Sequence, residues 1–83
     1  MDEALPHLIP AVQEQINSPA TPYVKEAYER ILTEPDIEEE EALNLIAFCL
    51  ADELEALEKE KRDFSEDRYK LLLRLLPVMP EGR

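Results

Sequence analysis

Apolar positions in this chain recur at intervals of three and four residues, the period of one face of an α-helix. Leu5, Leu8, Ile9, Val12 and Ile16 form the first stripe and predict a helix over about 5–17. Pro10 falls inside it. An interior proline removes one hydrogen bond and crowds the preceding turn, so this helix either starts near Pro10 or kinks there. The segment from Asn17 to Pro22 breaks the pattern. Thr21 followed by Pro22 reads as an N-cap with proline at the first helical position. Val24, Ala27, Tyr28 and Ile31 give a second stripe, edged by Tyr23 and Leu32, and predict a helix over about 22–33. Glu26 and Arg30 are four apart, a spacing that pairs charges on its exposed side.

Pro35 ends the second helix. Asp36, with Glu39 three residues later, has the form of a capping box. It opens a third helix over about 37–62, roughly 39 Å long at about 1.5 Å per residue. From Ala42 to Ala51 this helix is apolar on nearly every side, with Asn44 as the polar interruption. A helix apolar all round is buried all round. It should be the spine, and three short helices cover it only if they wrap closely; otherwise a second copy or another protein covers the remaining face. Beyond Leu50 the stripe narrows to Leu54 and Leu57. Glu55 with Lys59 and Glu58 with Arg62 are pairs in the favourable order, acid first. Ser65 reads as the next N-cap, with Phe64 and Tyr69 as its hydrophobic staple. The fourth helix, about 66–76, carries Tyr69, Leu72, Leu73 and Leu76, widened by Leu71 and Leu75. Pro77 and Pro80 end it, and 77–83 is a frayed tail.

The pattern therefore predicts an all-α single domain over 1–83, a small bundle of three to four helices with a long central third helix. The second and fourth pack antiparallel to the third, and the first is the least tied to the core. Composition agrees. The one glycine is Gly82, in the tail, whereas tight sheet turns draw on glycine for positive φ. A chain of 83 residues has little left over for a deep pocket of about 300 Å³ or more, which favours a binding or structural module over an enzyme.

The formal net charge is −11. Nucleic acid as a direct ligand needs basic residues to neutralise phosphates, and an anionic membrane needs the same, so neither is expected. A basic or apolar protein partner is. Cys49 is alone, so no intramolecular disulfide forms. Met1, Asp2 and Glu3 lack the basic start of a secretory signal. The longest apolar-rich run falls short of the about 17–25 residues of a membrane span. A cytoplasmic protein is the expectation.

Ten of the twenty acids lie between Ile31 and Glu58, where there is no Lys or Arg; the rest of the chain holds ten acids against nine basic residues. Nearly all the net charge thus belongs to one stretch. Asp36, Glu38, Glu39, Glu40 and Glu41 are its densest part and the candidate partner-binding residues. They dock a basic partner, or else they complement the helix dipole by about 0.3–1 kcal/mol each and solubilise an apolar helix. They lack the loop spacing and glycine of a calcium site, so no metal and no cofactor is expected. Cys49, flanked by Phe48 and Leu50, reads as a small buried hydrophobe rather than a nucleophile. His7 reads as a surface or cap residue, Asn44 as solvent-facing or as a register-setting seam residue, and Tyr23, Tyr28 and Tyr69 as core-edge residues or an interaction surface. No catalytic residues are assigned, since no phosphate loop, nucleophile elbow or zinc-ligand spacing is present.

The stretch from Ser18 to Pro77 resembles a group of short, acidic, all-helical bacterial proteins, a domain of unknown function. The matching features are Ser18-Pro19 with Pro22 and Val24, Glu41-Ala42 with Ile46, Leu50-Ala51-Asp52-Glu53, Phe64-Ser65-Glu66 with Tyr69, and Leu75-Leu76-Pro77. Where this chain has Lys61, a glycine is the expected residue of the group. The resemblance implies an all-α fold and no site residues. Three function classes follow: a non-enzymatic protein-interaction module with an acidic surface, self-association included; an acidic inhibitor or antitoxin-like protein that blocks a basic nuclease or toxin; and, last, a small enzyme.

Overall fold

The computed structural model describes residues 4–76, with side chains from His7 onward. The predicted tail with Pro77, Pro80 and Gly82 lies outside the described residues, as do 1–3 and the side chain of Leu5. Four helices make up the fold: α1 (Ala4–Ile16), α2 (Pro22–Ile31), α3 (Glu39–Glu60) and α4 (Glu66–Leu75), with no strand among the described residues. The small all-α bundle is as the periodicity predicts.

The core is one cluster fed by every helix. Val12, Val24, Ile31, Ile46, Cys49 and Tyr69 have no exposed surface. Burial of an aliphatic side chain of this size contributes about 1.5–3 kcal/mol. α3 touches all three other helices, and its most extensive interface is with α1. α1 is thus a full member of the core. Val12 anchors it, with Leu8, Ile9 and Ile16 packed alongside. Pro10 lies inside a continuous α1, on its exposed side.

Hydrogen bonds fix the directions of α2 and α4. At their starts the Tyr23 hydroxyl donates to Glu66 Oε2 at 3.3 Å. At their ends the Arg30 guanidinium donates to the carbonyls of Leu76 and Leu73, both at 2.7 Å. The two helices therefore run side by side in the same direction. The expected Glu26–Arg30 pair is replaced, because Arg30 satisfies the orphan carbonyls at the end of α4. Thr21 is the residue before α2, as predicted, with Pro22 in the first turn. Its hydroxyl does not cap α2 but donates to the Gln15 carbonyl at 2.8 Å, closing the end of α1.

α3 is two residues shorter at each end than predicted. Its N-cap is Glu38, not Asp36, and the capping box does not form. The reason is Ile37, half-buried against the core. An apolar residue packed just ahead of the cap requires an extended entry, and Glu38 supplies it with φ −97 and ψ 172. At the other end Lys61 turns left-handed, φ 56 and ψ 49, and the Arg62 amide reaches the Leu57 carbonyl at 3.1 Å. That reversal carries Arg62 away from Glu58, so the predicted pair between them is absent. Glu55 and Lys59 do pair, at 3.9 Å.

α4 opens as its sequence dictates. The Ser65 hydroxyl accepts from the Arg68 amide, and Phe64 sits edge-on to Tyr69 with ring centroids 5.5 Å apart. Neither α3 nor α4 is buried as widely as its pattern suggests. Phe48 is 45 % exposed on the outer side of α3, and Leu71 and Leu75 are 55 % and 50 % exposed on α4.

Candidate functional site

Asp36, Glu38, Glu39, Glu40 and Glu41 are all exposed. Four of them, Asp36, Glu38, Glu40 and Glu41, converge with Asn44 around an open depression of about 330 Å³. Glu40 and Asn44 are four apart and Glu41 and Asn44 three apart, so the helix stacks them on one face. Glu39 points elsewhere. It lies near Tyr28, whose hydroxyl pKa is raised by burial and then by the Glu39 charge. No Lys or Arg lines the depression. Ionised carboxylates only accept hydrogen bonds, so this acidic lip faces solvent as a set of acceptors suited to the ammonium and guanidinium groups of a partner.

A second acid cluster was not legible as a site. The Glu53 side chain has no exposed surface. Oε2 accepts from the Arg62 guanidinium at 2.7 Å and from the Ser65 amide at 2.7 Å. Oε1 accepts from Arg68 at 3.0 Å and from Arg62 at 3.2 Å. Arg68 extends the cluster to Asp52 at 3.3 Å, and Arg62 also pairs with Glu60. The Arg62 hydrogen bonds hold the Glu53 carboxyl well below its usual range, at about 2; burial opposes them, and Ser65 and Arg68 add to them. A carboxylate so ionised and occupied on both oxygens has no proton to give and little basicity to take one. Its work is structural: it ties α3, the turn and the start of α4 together. Every buried side-chain nitrogen and oxygen among the described residues has a partner.

A further polar feature is a groove between α2 and α4, about 260 Å³, floored by Ala27 and Leu73. Arg30, Lys70 and Arg74 line it with Tyr23 and Glu26. The Lys70 ammonium stands 5.0 Å from the centre of the Tyr23 ring, within cation–π range. These cations come from helices distant in sequence, which is why no local pattern announced the groove.

Cys49 is buried, and burial, then Asp52, pushes its thiol up to about 12. It is a core thiol, unsuited to act as a nucleophile. Tyr69 is wholly buried rather than at the core edge, and its hydroxyl donates to Gln15 Oε1 at 2.7 Å. His7 and Asn44 are exposed. Among the described residues no group of three or more His, Cys, Asp or Glu side chains is placed to hold a metal ion, and no helix is long and apolar enough to cross a membrane. Compared with protein-family models, with curated proteins and with solved structures, the chain matches none.

Proposed function

We propose that the protein is a non-enzymatic interaction module that docks a basic partner protein on the acidic lip at the start of α3. The observation that carries this reading is the convergence of Asp36, Glu38, Glu40 and Glu41 on one exposed depression with no cation lining it. Glu40 and Glu41 stand on the first turn of α3, so the backbone beneath them is ordered before a partner binds. An inhibitor of a basic nuclease or toxin, acting in the cytoplasm, is the special case in which the partner's basic surface is its active site.

Charge complementarity of this kind sets on-rate and partner choice and weakens with salt. The test is capture from a lysate of the source organism by the immobilised protein at low and at high salt, with mass-spectrometric identification. The expected result is a basic protein retained at low salt and released at high salt. Partners whose retention ignores salt would contradict the reading.

A further inference from the structure

Three of the chain's nine basic residues, Arg30, Lys70 and Arg74, line the groove between α2 and α4. Among the described residues none of the three forms an ion pair, whereas Arg62, Arg68 and Lys59 all do. Two nitrogens of Arg30 are taken by backbone carbonyls, but its charge stays in the groove. Lys70 and Arg74 are four apart on α4 and stack on one face. Glu26 is the one acid there. Among the described residues this concavity thus holds three cations against one acid, in a chain of net charge −11.

The same molecule carries the complementary surface. The lip at the start of α3 gathers four carboxylates and no cation. We infer that the occupant of the α2–α4 groove is the acidic lip of a second copy of this chain, with Glu40 and Glu41 of one copy meeting Lys70 and Arg74 of the other. This deepens the reading of the lip as a docking surface for a basic partner and rests on it: the groove is the basic surface closest to hand. The contact joins two different surfaces, so two copies either exchange both contacts in a closed pair or continue head to tail.

The net charge acts against association at long range, and salt separates the two effects. At about 0.1 M the screening length is about 10 Å, which damps repulsion between whole molecules and spares groups in contact. At about 1 M it is about 3 Å, and the contacts between lip and groove are screened as well. Association should therefore be strongest at intermediate ionic strength and lost at high.

The experiment is sedimentation velocity on the full chain and on two charge-reversed variants, Lys70→Glu with Arg74→Glu, and Glu40→Lys with Glu41→Lys. Circular dichroism first confirms that each is folded; if a reversal unfolds the chain, the Gln replacements at the same positions take its place and should weaken association. The wild type is expected to associate at about 0.1 M salt and dissociate at about 1 M. Each reversed variant alone should be monomeric, since its lip and groove then carry the same sign. An equimolar mixture of the two should associate again, because the reversed groove matches the reversed lip and the native surfaces still match each other. A wild type that stays monomeric, or a mixture that does, would overturn self-docking. Lysate capture separates this failure from that of the lip: a monomeric wild type that still captures a basic protein overturns only the self-docking, whereas salt-independent capture overturns the lip reading too.

Discussion

The carboxylate of Glu53 takes both terminal nitrogens of Arg62, at 2.7 and 3.2 Å, although Arg62 lies beyond the end of the helix that carries Glu53. The left-handed residue between them, Lys61, makes this geometry by reversing the chain as α3 ends. Arg62 then points back along α3 instead of continuing its spiral past Glu58. The Ser65 amide completes the shell at 2.7 Å and Arg68 joins it from α4. One carboxylate thus sets how α4 leaves α3, and with it the position of Lys70 and Arg74.

Removing that carboxylate leaves Arg62 with Glu60 and Arg68 with Asp52 as remaining charge partners, on side chains that are 28 % and 36 % exposed. Water compensates them in part, so the cost should fall at the lower end of the range for a broken buried pair, about 3 kcal/mol for Glu53→Ala. Urea denaturation measures it. A loss below about 1 kcal/mol would mean that the cluster is ornamental.

The same group makes stability depend on acid. Its carboxyl is depressed from an ordinary 4.5 to about 2 in the folded protein. Its contribution is therefore complete above pH 4.5 and is lost as pH falls from about 4.5 toward 2. The comparison with Glu53→Gln isolates the buried group: the stability gap between wild type and variant should shrink as pH falls. A gap that holds constant from neutral pH to about pH 2 contradicts the assignment.

Lys61 adopts φ 56, a conformation in which a Cβ is crowded. Lys61→Gly should relieve about 1 kcal/mol and raise the melting temperature by about 4–8 °C in a domain of this size. Thermal unfolding followed by circular dichroism checks it, and an unchanged or lower midpoint would mean that the turn carries no strain.

The two faces of α3 should respond differently to truncation. Ile46 has no exposed surface, and Ile46→Ala should cost about 2–5 kcal/mol. Phe48 faces outward, and Phe48→Ala should cost less than about 1 kcal/mol. Equal costs, read from denaturation midpoints, would place the core on the wrong side of the helix.

The first three helices were legible because prolines separate their stripes, and the fourth because a cap and staple restart the period where no proline stands. Ser65 was legible in full, cap and staple together, because both depend on residues within one turn. Asp36 misled because a cap motif competes with the burial of Ile37, and burial depends on distant helices. Glu53 was hidden for a similar reason. It continues the spacing Ala42, Ile46, Cys49 and occupies the core face, while Leu54 beside it is 38 % exposed. Residue type argued for the reverse, and only the arginines beyond the turn make the buried acid tenable. The acidic lip was legible as a run of charge, but which four residues share one depression was not. The groove was invisible because α2 and α4 meet only in the fold.

The most direct measurement is partner retention by the wild type against the variant with Glu38, Glu39, Glu40 and Glu41 all replaced by Gln, compared at low and high salt with helicity checked in parallel. With the fold intact, the variant should lose every partner that the wild type releases at high salt. Retention of the same partners at the same strength would show that the acidic lip caps and solubilises α3 and docks nothing.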